Sequence, residues 1–241
     1  MLQIQGNARR HSIALALAVV AGLSGSAGAG DPATTLVRVE EDWVALVDEP
    51  DTAISSPQIC CVISPTQDLE GAFGQIQINH RGYPSFQEGG IQVQGLFGES
   101  VSGTNNASRT ARLYRTSDNL RFTVGMSQVT DGVQFEVKDV RSRTWGSFAS
   151  SGIKVTVPTT ETSLDAYSPE FSLENSMVNL GAHRIDILYI TTIRKTFADG
   201  HTETDYTDRV SHRYQLEVDD VPVELYEANP DEYNTDITEV E

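Results

Sequence analysis

Beyond Leu36 apolar and polar residues alternate along most of the chain with a period of two, the period at which successive strand side chains point to opposite faces. Leu36–Val47 reads as a first strand and Gly74–His80 as another. Ile91, Val93, Gly95 and Phe97 share one strand face, with Gln92 and Gln94 on the other. Phe122, Val124 and Met126 repeat the pattern, and so do Val133, Phe135 and Val137, with Gln134, Glu136 and Lys138 facing away. Thr130-Asp131-Gly132 between these last two runs is a hairpin signal, because Asp-Gly readily takes the backbone angles of a tight strand-reversing turn. Ile153, Val155 and Val157 make a short strand. Ile185–Phe197 is apolar on both faces in its first half, as a central strand would be, and Asp199-Gly200 turns it back into a strand over Thr202–Val218.

Gly98–Asn106 and Asn175–Gly181 read as breaks between strands, and no segment carries a helical period. Many half-buried strands in one domain predict an all-β fold, an antiparallel β-sandwich of jelly-roll or concanavalin-like (legume-lectin-like) type. No repeat of fixed period argues for a propeller or solenoid.

Residues 1–29 change the picture by adding an address. Arg9 and Arg10 precede the apolar run Ile13–Leu23, and Ala27-Gly28-Ala29 supplies a small-residue cleavage site, the layout of a secretory signal peptide. The organisation expected is a signal peptide over 1–29, a sandwich domain over 30–216 and an acidic tail or edge strand over 217–241. Localisation would then be secreted or in the cell envelope, with no membrane span after cleavage, since no later stretch approaches ~18 apolar residues.

The 241-residue chain carries a formal charge of −17, and Glu217–Glu241 holds ten acidic residues and no basic one. Such a surface repels phosphate backbones, so nucleic acid is not an expected partner. It favours solubility and attracts divalent cations or basic partners. The acidic run lacks the Asp-x-Asp-x-Asp-Gly order of a calcium loop, so no cofactor or metal site is expected, and calcium enters only as an ion such a charge would draw.

The only cysteines, Cys60 and Cys61, are adjacent. Across a trans peptide their Cα atoms stand ~3.8 Å apart, closer than the ~4.4–6.8 Å of ordinary disulfides. Ile59, Cys61 and Ile63 mark one strand face, and Cys60 with Val62 the other, which favours two buried thiols acting as small apolar side chains over an interchain or vicinal disulfide. The histidines show no metal-ligand spacing: His80 and His212 fall in phase with apolar faces, and His183 and His201 near turns.

Two stretches invite chemistry. Trp145, in Arg143–Phe148, lies near a strand end or loop, where it would serve either as a sugar-stacking platform or as a core plug against Gly146. Glu203-Thr204-Asp205-Tyr206-Thr207-Asp208 resembles the Glu-x-Asp-x-x-Glu strand of laminarinase-type glycoside hydrolases, which are β-sandwich enzymes. The resemblance implies Glu203 as nucleophile, Asp205 as the carboxylate tuning it and Asp208 at the acid/base position, where the family carries Glu. A retaining mechanism needs its two carboxyls ~5–5.5 Å apart, and strict alternation puts Asp208 on the opposite face unless a bulge intervenes. The competing reading is a solvated outer strand face with Thr204 and Tyr206 pointing inward.

A wider set of landmarks resembles a group of uncharacterised exported bacterial proteins of planctomycete type. These are Glu41-Asp42-Trp43, Asp48-Glu49-Pro50-Asp51, Pro57-Gln58, Ser64-Pro65, Asn79-His80, Gly89–Gln94, Phe135-Glu136-Val137, Thr144–Phe148 and Tyr167-Ser168-Pro169. The resemblance implies a shared β-sandwich and no particular activity. The expectation is therefore a secreted, non-catalytic module that binds glycans, adheres or builds the envelope. The alternative is a glycan-degrading hydrolase or lyase.

Overall fold

The computed structural model describes residues 35–47, 59–79, 90–108, 118–160, 163–178 and 185–213. The leader 1–29, the acidic run 217–241, His80 and His183 lie outside the described residues, as does the side chain of His212. Two antiparallel sheets pack face to face as an all-β sandwich.

The larger sheet is centred on β1 (Leu36–Val47), which pairs with β11 (Ile185–Phe197) on one side and β6 (Asp118–Val129) on the other. Beyond β6 comes β7 (Gly132–Ser142), whose far edge is shared by β8 (Gly146–Phe148) and β9 (Ile153–Pro158). The far edge of β11 is likewise shared by β12 (Thr202–Asp205) and β13 (Arg209–Arg213). The smaller sheet runs β2 (Ile59–Ile63), β3 (Ala72–Asn79), β4 (Gly90–Phe97) and β5 (Ser100–Ser108) as a meander, with β10 (Met177–Val178) on the outer edge of β2.

The two-residue period decides which side chains meet. Val39, Trp43 and Ala45 of β1, Phe122, Val124 and Met126 of β6, and Val133, Phe135 and Val137 of β7 face Ile59, Cys61, Ile63, Ile76, Ile78, Ile91 and Val93 of the smaller sheet in one core. Cys60 and Val62 turn to the opposite face with Phe73 and Leu96, under Phe171. Both thiols are free and buried.

Three glycines let the sheets close up. Gly74, Gly95 and Gly103 are register partners across β3, β4 and β5. A Cβ at Gly74 would lie 2.6 Å from the Phe135 ring, and one at Gly95 would lie 2.6 Å from Val157 and 2.8 Å from Val155. The absent side chains are the seats of these three residues.

Several expectations need correction. Pro169–Asn175 forms a helix, α1, whose start is written in Ser168 as N-cap and Pro169 in the first turn. It is too short to show a helical period. The Ser176 hydroxyl that closes it donates to Ser172 O and accepts the Val62 N–H, and Ser211 donates to Leu173 O, so α1 ties β2 to β13. Ser100–Ser108 is a strand rather than a break; as an edge strand with both faces largely exposed, it has no apolar alternation to display. The strand expected over Thr202–Val218 is interrupted at 206–208, and Tyr206 points to solvent rather than inward. Phe97, at the end of β4, is 49% exposed.

The core also takes in a carboxyl group on β1. Glu41 is fully buried between Val39 and Trp43, accepting the Trp43 indole N–H at 2.9 Å and the Tyr167 hydroxyl at 2.8 Å. Burial pushes its carboxyl up to about 7. The Ser172 hydroxyl opposes part of that rise, although its Oγ closes no hydrogen bond of standard geometry.

Two outcomes are expected. Gly95→Ala should destabilise the fold by about 1–3 kcal/mol through overpacking against Val155 and Val157, read as a lower urea midpoint at unchanged slope. Glu41 holds its proton more tightly folded than unfolded, so the stability it supports is complete at low pH and declines as pH rises from 4.5 towards 7. Glu41→Gln should flatten that slope and leave the protein more stable at neutral pH by up to roughly 3 kcal/mol. An unchanged pH profile of the melting temperature would contradict the assignment.

Candidate functional site

The outer face of the larger sheet carries the polar half of the same alternation. Arg194 of β11, Glu40 of β1, Gly125 of β6, Glu136 of β7 and Lys154 of β9 stand in one row of register partners across five strands. Gly125 leaves room above β6 for the charges on either side to meet. Glu40 pairs with Lys138 at 2.6 Å and Arg38 at 2.8 Å, and Arg38 reaches Glu136 at 3.2 Å, which Lys154 approaches at 3.3 Å. Burial alone would raise the Glu40 carboxyl, but Lys138 and Arg38 hold it down at about 2.

The next row holds Asp42, opposite Thr192 and Thr123. Arg194 grips its carboxylate with two N–H groups at 2.6 and 2.9 Å, and the Thr123 hydroxyl donates at 2.7 Å. That grip, above all, raises the Arg194 guanidinium above its ordinary value. A register shift between β1 and β11 at this point leaves Thr191 beside the ladder, its hydroxyl donating to the Asp42 carbonyl at 3.2 Å.

Here the face opens into a groove of about 610 Å³, within the range of ligand sites. Asp42, Arg121, Thr123, Arg141, Ser147 and Arg194 are among its lining residues. Its far wall is shaped by a bulge in β7. Thr123 pairs with Lys138 but Arg121 pairs with Arg141, so β7 spends one more residue than β6 over this interval. Asp139 takes the extra place at φ 52°, donating its N–H to Ala149 O at 3.1 Å, and Ala149 is itself left-handed at φ 54°. The bulge keeps Val140 in the core and returns Arg141 to the outer face beside Arg121.

Trp145 lies behind this wall. It is buried in the β7–β8 turn, edge-on to Phe148 at 5.9 Å, and its backbone N–H donates to Ser142 Oγ. The turn is held by buried Asp118, whose carboxylate accepts the N–H groups of Arg143 and Thr144. Trp145 is therefore packed in the core, backing Phe148, which does line the groove.

Glu203, Asp205 and Asp208 do not line the groove. Glu203 is exposed on edge strand β12, with its carboxylate 3.9 Å from the His201 ring. Asp205 accepts the Thr207 N–H at 2.9 Å and pairs with Arg209 at 2.6 Å, contacts that hold its carboxyl well below the usual range. Asp208 falls between β12 and β13.

Burial raises the Cys60 thiol to about 11, against a Gln75 amide N–H at 2.9 Å, and Cys61 is raised too by burial, then by Cys60 and Glu41. Both are held as neutral thiols at neutral pH. Among the described residues no three His, Cys, Asp or Glu side chains come together as a metal site. No helix among them is long and apolar enough to cross a membrane.

Compared with protein-family models, with curated proteins and with solved structures, the chain finds no match in any of the three.

Alternation assigned Lys138 and its neighbours to the outer face, but the groove residues were not singled out in the sequence. The signal for the bulge is Val137-Lys138-Asp139-Val140, where two core residues stand three apart instead of two. Asp42→Ala should cost about 1–3 kcal/mol by stripping Arg194 and Thr123 of their shared acceptor, measured as a shift in the urea midpoint. A loss no larger than that of an exposed control substitution would show that the clamp contributes nothing to stability.

Proposed function

We propose that this protein is a secreted, non-catalytic β-sandwich module that binds glycans in the envelope or outside the cell, in an adhesive or envelope-structural role. The observation that carries the reading is the groove on the outer face of the larger sheet. Its volume of about 610 Å³ suits a few sugar rings. Its lining combines guanidinium forks, hydroxyls and two carboxylates, the groups that recognise ring hydroxyls. The side chains sit on paired strands, and Asp42 is fixed from two sides by Arg194 and Thr123, so the site is preorganised. The same clamp commits the Asp42 carboxylate to structure, which favours binding over acid–base chemistry. The leader-like segment 1–29 supports an exported site of action.

Electrophoresis of the protein through gels containing embedded cell-wall and extracellular polysaccharides tests this reading. At least one polysaccharide should retard migration, and Ser147→Trp, which fills the groove from an exposed position, should abolish the retardation without lowering the melting temperature. Free migration in every gel would sink the proposal.

A further inference from the structure

We propose that β5 is a dimerisation edge, on which a second copy of this chain pairs its own β5 antiparallel across a two-fold axis at Thr104. This contact lies on the opposite sheet from the groove and is independent of what the groove binds. An edge strand offers unpaired backbone N–H and C=O groups to any strand that approaches, and folded proteins blunt such edges by shortness, charge or proline. The other outer strands follow that rule. β8 and β10 have three and two residues. β9 carries Lys154 and Pro158, β12 carries Glu203 and Asp205, and β13 carries Arg209 and Arg213. β5 departs from it. Its nine residues include no charge and no proline and are largely exposed, and among the described residues no strand pairs with its outer edge. A bulge against β4 at Ser102 bends the strand near its start and leaves residues 103–108 in regular register.

The strand is its own complement. In antiparallel pairing about Thr104, Ser100 lies opposite Ser108, Val101 opposite Ala107, Ser102 opposite Asn106 and Gly103 opposite Asn105. Apolar then faces apolar and no position opposes a charge, as a contact of one surface with itself requires. Charge selects the occupant. A chain of net charge −17 repels its own copies over most of its surface, and a neutral edge is where two copies approach without opposing carboxylates. The flanking sequence has the same symmetry, with Glu99 directly before the strand and Arg109 directly after it, so self-pairing brings acid towards base at both ends. A two-fold axis that joins antiparallel edge strands stands perpendicular to the sheet, so both larger sheets fall on the same side of the dimer. The two outer-face grooves then open in one direction, the arrangement in which two weak sites engage one surface with avidity.

Sedimentation equilibrium of the protein over a range of concentrations tests the assignment. The wild type should be a dimer that dissociates on dilution. Thr104 opposes its own symmetry mate, so Thr104→Lys and Thr104→Glu should each weaken dimerisation about tenfold or more by setting like charges directly opposite one another. An equimolar mixture of the two variants should recover the dimer, which a merely unfolded variant would not do. Because Thr104 is exposed, neither variant should lower the melting temperature at a dilution where the wild type is monomeric. A wild type that stays monomeric at every concentration overturns the second copy as the occupant of this edge. A dimer that both variants leave intact overturns β5 as its interface, and a mixture that fails to recover overturns the two-fold at Thr104. Assemblies that grow beyond the dimer overturn the closed contact.

Discussion

β1 lies between β11 and β6, and its strict two-residue period sends Val39, Glu41, Trp43 and Ala45 into the sandwich and Arg38, Glu40 and Asp42 to the opposite face. Each assignment is conditional on the other. A shift by one residue would bury three charged groups that now find partners on the outer face, and expose the largest side chain of the core. Glu41 makes the constraint visible because it obeys the period although its chemistry argues against burial. The Trp43 indole, the Tyr167 hydroxyl and the nearby Ser172 of α1 lessen the cost of placing it there. The segment leading into α1 and the large sheet are thereby coupled through a carboxyl group, by the Tyr167 hydroxyl, rather than through apolar packing alone.

The charged ladder beside it serves the groove as a foundation. Because Glu40 and Glu136 are paired with Arg38, Lys138 and Lys154 from β1, β7 and β9, the surface next to the groove is occupied by ion pairs. Ionic strength near physiological screens charges beyond ~8 Å, so the acidity of the chain as a whole weighs less at this face than the charged groups that line the groove.

Much of the architecture was legible in the alternation. The bounds read for β1 and β11 coincide with those found, the β6–β7 hairpin turns at Thr130-Asp131 directly before Gly132, and the opposed faces of Cys60 and Cys61 follow from strand geometry. What escaped did so for physical reasons. α1 has two turns and hence no periodicity, β5 is an edge strand without an apolar face, and Tyr206 leaves the strand pattern where β12 stops at Asp205. The groove was the least legible part, since it depends on Asp42, Arg121, Arg141 and Arg194 meeting from four strands and on one extra residue in β7. Alternation predicts that such residues face outward; it says nothing about which neighbours they meet. Glu203, Asp205 and Asp208 illustrate the converse, a spacing that reads as chemistry while Asp205 is occupied in closing a turn.

The glycine row Gly74–Gly95–Gly103 has a consequence for uniqueness. A period of two penalises a slip of one residue between strands but is blind to a slip of two, which returns every apolar side chain to the same face. In the smaller sheet that blindness is removed. Sliding β4 by two would bring Val93 or Phe97 beneath Val155 and Val157, and sliding β3 would bring Ala72 or Ile76 beneath Phe135, where only a hydrogen fits. The row works as a keyway cut across three strands, with side chains of β7 and β9 as the key, so the two sheets carry a shared index mark that alternation alone does not supply.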